Sequence, residues 1–373
     1  MSIDGTERVE TVIVGGGQAG LATGYLLQRQ GRPAVILDAF ERVGDAWRTR
    51  WDSLRLFTVA RYDSLPGLRF PAPGWSFPTK DEMADYLETY ASTFALDVRT
   101  GTHVRSVSKV DDRFVITTTH GGVFEADNVI VATGANRIPR VPSFAAELDP
   151  SIVQFHSSEY HGPSQLREGR VLLVGVGNSG ADIALEVARE HDTWLAGKET
   201  GHIPVRIERS GKYFFVLIRF FGHHVLTRRT PIGRRAHRKG GSKADPLIRV
   251  KPKDLAAAGV QRMSRVVGVR DGLPLLEDGR TLEVANVIWC TGFRSDHSWL
   301  DLQVFDEHGE PVHERGVVTS EPGLYFIGLP FQYSKSSDVL PGMGRDHAYI
   351  AKHIASRHRT GHPAPEIASS TAA

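Results

Sequence analysis

The chain has 373 residues, 40% of them hydrophobic, and a formal net charge of +2, so it can bury two or three sizeable cores and its overall charge makes no case for nucleic acid. A single cysteine, Cys290, leaves no internal disulfide and no C-x-x-C pair, which excludes the dithiol-using disulfide reductases. No run reaches the roughly 18 apolar residues of a spanning helix, and the start MSIDGTERVE has neither an apolar h-region nor a cleavage site, so a soluble cytoplasmic protein is expected.

The first stretch, from Thr11 to Asp38, reads as strand, phosphate turn, helix and second strand. Gly15, Gly17 and Gly20 stand in G-x-G-x-x-G phase directly before a helical pattern. The first glycine permits a tight turn, the second lets backbone approach a pyrophosphate, and the third lets helix pack on strand. The helix carries Leu21, Tyr25 and Leu26 on one face and aims its free N–H groups and positive dipole end at the anion. Gly31 and Pro33 end it, and the strand Ala34 to Leu37 leads to Asp38, a carboxylate placed to accept hydrogen bonds from a ribose.

Gly44, Trp47 and Trp51 follow in loop and short helix, where the tryptophans either pack a core or wall a flat ring. The proline-rich RYDSLPGLRFPAPGWSFPTK lacks periodicity and is expected to cross the surface. Thr79 with Glu82 three residues on is a capping-box signature, opening a helix to about Phe94 that buries Met83, Tyr86, Leu87 and Tyr90. From His103 to Val131 the period is two, which predicts a short antiparallel meander returning to a parallel strand that ends at Thr133 and Gly134.

Pro139 and Pro142 mark a hinge, and the plan then repeats. Gly175, Gly177 and Gly180 follow the strand Val171 to Val174 in the same phase, and NVIVATG at Asn128 is echoed by NVIWCTG at Asn286. The expected fold is α/β with two dinucleotide-binding, Rossmann-like domains. Residues 1–140 and 293–373 form a discontinuous first domain, and 141–292 form an inserted second one. The last part of the first domain has a strand ending at Gly328, a loop, and a helix from about Arg345 to Arg357.

The segment 199–253 differs in character, with an apolar aromatic run KYFFVLIRFFGHHVL followed by a basic stretch. The expectation is a lid, in which Phe214, Phe215, Leu217, Phe220 and Phe221 cover the cleft between domains. The competing reading is an amphipathic surface anchor using Arg228, Arg229, Arg234, Arg235, Arg238 and Lys239 against anionic lipid.

Taken together, GGGQAGLA, the G-D-A-W run ending at Trp47, LPGLRFPAPGWSFPTKDEMADYLETYA, VATG, GVGNSGAD and CTGF make the chain resemble the flavin-containing monooxygenases. It is most similar to their plant auxin-forming branch and its bacterial relatives. The resemblance implies FAD on the first motif, contacting Gly15, Gly17, Gln18, Ala19, Gly20, Asp38, Trp47, Thr58, Val104, Thr133 and Gly134, with Leu340 near the pyrimidine edge. It implies NADPH on the second, with Gly175 and Gly177 in the turn, and contacts from Asn178, Ser179, Gly180, Ala181, Asp182 and Lys198.

Two departures stand out. Of the family's F-x-G-x-x-x-H-x-x-x-[FY] pattern only His156 and Tyr160 remain, and Phe57 precedes Thr58 where the animal enzymes carry an asparagine over the flavin.

The chemistry implied is hydride transfer from nicotinamide to flavin, whose reduced C4a carbon adds molecular oxygen; the cofactors carry it, so no nucleophile–base pair is needed. His156 and Phe57 are the candidate residues near the reaction, and no metal site is expected. Three readings fit the same motifs. One is a monooxygenase acting on nitrogen, sulfur or an oxo acid; another is a reductase or oxidase without oxygenation; the third is a redox-regulatory flavoprotein. The substrate and the oligomeric state are not written in the sequence.

Overall fold

The computed structural model describes residues 5–134, 138–207, 212–238 and 246–358. Lys239 and the side chain of Phe214 lie outside the described residues. Strand β1 (Thr6–Val14) starts ahead of its apolar run, because its amino half is held by ladder bonds to a neighbour rather than by burial. Helix α1 (Gln18–Gln28), strand β2 (Val35–Leu37) and the one-turn helix α2 (Asp45–Arg48) follow. Trp51 is buried in the core, whereas Trp47 is half-buried and its indole N–H donates to Gln18 Oε1 at 3.4 Å, tying α2 to the start of α1.

Helix α3 (Lys80–Thr93) opens with the expected capping box: the Glu82 N–H donates to Thr79 Oγ1 at 3.1 Å and the Thr79 N–H to Glu82 Oε2 at 2.7 Å. The proline-rich segment does not merely cross the surface. It buries Leu65, Phe70 and Phe77, and its backbone is satisfied by tyrosines of α3. The Tyr86 hydroxyl accepts from the Leu65 N–H at 2.6 Å and donates to the Leu68 carbonyl at 2.7 Å, and Tyr90 donates to the Pro66 carbonyl at 2.7 Å. Those side-chain partners let a nonperiodic segment be buried.

Strands β3 (Val98–Arg99), β4 (Val104–Val110), β5 (Arg113–Thr118) and β6 (Val123–Val131) complete the meander. GVFEA and NVIV form one strand, β6, whose amino half pairs antiparallel with β5 while its length runs parallel to β1. The chain continues through β7 (Ile138–Pro139), β8 (Val153–His156), β9 (Val171–Val174), helix α4 (Asn178–Val187) and β10 (Thr193–Ala196). Helices α5 (Lys212–Phe220) and α6 (Pro231–Arg238) belong to the insertion. After helix α7 (Pro252–Ala257) come β11 (Gln261–Met263), β12 (Val266–Arg270), β13 (Leu273–Leu276), β14 (Asn286–Trp289), β15 (Phe293–Arg294) and β16 (Leu324–Phe326). Helix α8 (Leu340–His358) is last.

Two sheets result. One has the order β3-β2-β1-β6-β5-β4, with β16 on β6, and the other β11-β10-β9-β14-β8. In both, the strand before a glycine turn lies centrally, flanked by the strand after its helix and by the strand ending in Thr-Gly. Because β16 returns to the first sheet after the second is complete, that sheet is built from both ends of the chain. The link is a two-stranded ladder in which β7 pairs antiparallel with β15, Pro139 opposite Phe293.

Helix α8 begins at Leu340, earlier than expected, and absorbs the LPGMG run. A proline in the first turn loses no intrahelical bond, and at Gly342 a Cβ would overlap the Ser336 carbonyl, so that glycine reflects close packing rather than a loop. No helix among the described residues is long and apolar enough to cross a membrane.

Candidate functional site

The two glycine turns are built alike. Gly15 and Gly175 have φ of 112° and 118°, a left-handed conformation that favours glycine. A Cβ on Gly15 would stand 2.6 Å from the Ala132 carbonyl oxygen at the end of β6, and one on Gly175 would overlap the carbonyl of Cys290 after β14. At Gly20 and Gly180 a Cβ would overlap the carbonyls of Gly15 and Gly175, so helix and strand touch backbone to backbone. The middle glycines differ: at Gly17 and Gly177 a Cβ meets nothing within 4 Å. Protein contacts do not demand glycine there, whereas a ligand backbone contact would.

The helix starts agree. Neither α1 nor α4 has a capping side chain or an acidic residue in its first turn, whereas α3 is fully capped. Two buried-end helices left with free N–H groups suit two pyrophosphates.

Around the first turn the structure gathers most of the expected residues. Gln18 and the buried Ala19 open α1, and Thr133 adjoins Gly15 at the end of β6, followed by Gly134 at φ 71°. Asp38 is 7% exposed, packs against Gly16 and accepts from the Phe40 N–H at 3.2 Å. The Thr102 N–H donates to the Asp38 carbonyl at 2.8 Å, which brings Val104, at the head of β4, close to that strand end. Leu340 starts α8, which packs along α1. Thr58 is buried, and Phe57 beside it is 37% exposed.

Around the second turn, Ser179 and the buried Ala181 sit in the first turn of α4. Asn178 accepts from the Ile248 N–H at 3.0 Å, and Asp182 pairs with Arg249 at 3.3 Å, so both side chains hold the returning end of the insertion. Arg249 also donates to the Arg55 carbonyl at 3.0 Å, joining the first unit to the second. Burial pushes the Asp182 carboxyl up to about 6, against the pull of Arg249. Where the first unit has Asp38 the second has Gly197, at φ 138°, followed by the exposed Lys198. Sequence reasoning missed Arg262, which donates to the Leu195 and Gly197 carbonyls, each at 3.0 Å, and adds a second cation at that strand end.

His156 serves the crossover. Its Nδ1 accepts from the Ser158 N–H at 3.1 Å, which leaves the proton on Nε2 to donate to the Gly292 carbonyl at 3.0 Å. Burial lowers its pKa, so the ring is neutral. Tyr160, fully buried, donates to Glu186 on α4 at 2.8 Å. The two survivors of the broken sequence pattern thus pin β8 to the hinge and to α4.

A profile of the pyridine nucleotide-disulphide oxidoreductase family matches residues 12–200, from the first turn to just past β10. The chain belongs to this family. An uncharacterized CzcO-like oxidoreductase of Geobacillus kaustophilus is 39% identical, covering 93% of this chain and 98% of its own. The indole-3-pyruvate monooxygenase YUCCA1 of Oryza sativa subsp. japonica is 30% identical, with 93% of each chain covered. A flavin-containing monooxygenase from Stenotrophomonas maltophilia has a solved structure that matches with TM-score 0.73 at 28% identity, over 94% of this chain and 99% of that one.

Within the family the chain is therefore a flavin monooxygenase-type oxidoreductase, as the sequence resemblance implied, of the kind that runs on FAD and NADPH. The disulphide of the family's name has no counterpart here. Cys290 stands alone in the sequence, and burial pushes its thiol up to about 12, far from the reactive thiolate.

A second residue the sequence did not reveal is Asp63, which follows Thr58 by one turn of loop. It is 0% exposed, and neither carboxylate oxygen has a partner in good hydrogen-bond geometry among the described residues, the Thr58 hydroxyl being the nearest candidate. Burial pushes its carboxyl up to about 7, with the nearby Thr58 hydroxyl pulling the other way.

Two predictions follow from this geometry. Gly17→Val should fold, since no protein atom lies within 4 Å of a Cβ there, and lose flavin absorbance, whereas Gly20→Ala should cost about 1–3 kcal/mol of stability by overpacking; a yellow, fully loaded Gly17→Val would refute the assignment of flavin to this turn. For Asp63, the folded pKa lies above the ordinary value of about 3.9, so the folded state binds the proton more tightly. The contribution of Asp63 to stability then falls as pH rises from about 4 to about 7. Asp63→Asn lacks that slope, and its Tm relative to wild type should climb between pH 4 and 7 and level off above; a pH-independent difference would show that the carboxyl is not held protonated.

Proposed function

We propose that the protein is an NADPH-dependent flavoprotein monooxygenase that oxygenates a small molecule, at nitrogen, at sulfur or on an oxo acid, with molecular oxygen as co-substrate. In this reading residues 1–140 and 293–373 hold FAD, and 141–292 hold NADPH. FAD would rest on the turn at Gly15, Gly17 and Gly20, with its ribose at Asp38; NADPH would rest on the turn at Gly175, Gly177 and Gly180. Bound FAD supplies the redox chemistry, taking a hydride and passing electrons on to oxygen.

The chain's own part is to bind, align and keep water out. The two uncapped helix ends would hold the pyrophosphates, and the ladder between β7 and β15, clamped by His156, sets one unit against the other. Phe215 of α5 is 7% exposed, packs with Val59, Phe77 and Ile207, and stacks on Tyr62 with ring centroids 5.7 Å apart. It covers the loop that carries Phe57 and Thr58.

The observation that carries the reading is the pairing of two complete nucleotide turns with a lone, unreactive thiol. Electrons from NADPH have no dithiol to go to, and oxygen is the acceptor the monooxygenase relatives use. A reductase or oxidase that does not oxygenate is favoured by one feature, Phe57 where the animal enzymes carry an asparagine, since it offers no hydrogen bond over the flavin.

The decisive measurement is product, hydrogen peroxide and NADPH consumption with a panel of a small amine, a sulfide and indole-3-pyruvate. Product in step with NADPH is expected; peroxide equal to NADPH with no product would select the oxidase, and no consumption a regulatory protein. Phe215→Ser should keep FAD and raise peroxide per NADPH. Lys198→Ala should raise the NADPH KM roughly tenfold, the low end for a lost charge-assisted contact, and leave NADH unaffected; an equal effect on both coenzymes would remove Lys198 from the 2′-phosphate site.

A further inference from the structure

The insertion does two things with one helix. Phe215 turns inward, and Arg219 lies over the Tyr62 ring at 4.7 Å, so this face of α5 docks on the first unit. The segment after α5 is strapped to the loop before α8: the Arg228 N–H donates to the Tyr333 carbonyl at 2.8 Å and the Lys335 N–H to the Leu226 carbonyl at 2.9 Å. Arg345 of α8 donates to the His223 carbonyl at 2.8 Å. The helix is therefore held in place, and its opposite face is presented rigidly.

That opposite face is apolar and uncovered. Tyr213, Val216, Leu217, Phe220 and Phe221 recur at i, i+3, i+4, i+7 and i+8, the spacing of one helix face, and they are 89%, 42%, 60%, 54% and 46% exposed. This corrects the lid expectation for Leu217, Phe220 and Phe221, which point to solvent rather than into a cleft. Ile232 on α6 is also exposed, at 58%, among the exposed Arg229, Arg234, Arg235 and Arg238. From Arg209 to Ala244 the sequence has ten Lys or Arg and no Asp or Glu.

We propose that α5 and α6 form a docking surface for an anionic lipid membrane, with the stripe from Tyr213 to Phe221 entering the headgroup boundary and the arginines of α6 meeting lipid phosphates. An exposed apolar stripe followed in the chain by exposed arginines, with no acidic residue from Arg209 to Ala244, matches the composition of an interfacial segment. Charge decides between occupants: a second copy of this face would set its exposed Arg229, Arg234, Arg235 and Arg238 against the same four, whereas anionic headgroups neutralise them. The stripe lies on the far side of α5 from Phe215, so docking leaves the covering role of Phe215 intact.

The test is co-flotation of the FAD-loaded full chain with vesicles of one part phosphatidylglycerol to three of phosphatidylcholine, against phosphatidylcholine alone. Binding is expected to the anionic vesicles only, and to weaken at 1 M salt, where the Debye length falls to about 3 Å. Leu217→Glu with Phe220→Glu should abolish it while flavin absorbance and NADPH oxidation persist, and Arg234→Ala with Arg235→Ala should weaken it roughly fivefold per charge removed. Absence of binding to anionic vesicles, or equal binding to both kinds, overturns the proposal. So does a dimer in light scattering that Leu217→Glu with Phe220→Glu converts to monomer, since that gives the face to a second copy.

Discussion

The approach of helix to strand at the two glycine turns is the constraint on which the rest of the structure depends. With no side chain at Gly20 or Gly180, the first turn of each helix rests on the carbonyl of the glycine that opens the turn, and the helix start points at the carboxyl edge of the sheet. The end of β6 must then stop against Gly15 and the end after β14 against Gly175. One steric requirement, met twice, places Thr133 and Gly134 at the first turn and Thr291 and Gly292 at the second. It also leaves two helix ends without a capping side chain, where a bound anion would meet free N–H groups.

Holding two such turns in a working relation needs contacts that cross between units, and the chain builds them mainly from neutral or paired groups. His156 is buried without charge because Nδ1 accepts from the Ser158 N–H and burial disfavours the protonated ring. Arg249 reaches from the insertion to Asp182 in one unit and to a backbone carbonyl in the other, a pair half-shielded from solvent and so worth more than an exposed bridge. The loop between α2 and α3 is held by the Tyr86 and Tyr90 hydroxyls at Leu65 to Leu68 and by Phe215 at Val59, Tyr62 and Phe77. Asp63, buried beside Thr58 with no counter-charge among the described residues, is the exception to this economy, and buried groups with perturbed titration gather near working sites.

The insertion shows how one apolar run can be divided by geometry. A hydrophobic helix lying on a protein surface buries only the side it rests on, and α5 rests on Tyr62, Phe77 and Val59 through Phe215. The strap to Tyr333 and Lys335 prevents the helix from rolling to hide the rest. The exposed stripe is thus a consequence of the same contacts that secure the cover.

Much of the site was legible in the sequence, because glycine at fixed spacing has few alternative explanations and repetition of the spacing has fewer still. The α/β class, the two turns, the Thr-Gly strand ends and the capping box at Thr79 all follow from local rules that act within a few residues. What local rules could not supply was partnership across the chain. The burial of the proline-rich segment rests on tyrosine hydroxyls from α3, and the early start of α8 on Gly342 meeting Ser336. Arg262 and Asp63 acquire meaning only from neighbours distant in sequence, the one from the end of β10 and the other from the absence of a counter-charge around it. The sequence by itself determined which backbone turns would form, since those depend on residues next to one another. Only the tertiary structure decided which face of α5 is hidden, because periodicity gives the direction of each side chain around a helix axis and not the side on which the rest of the protein lies.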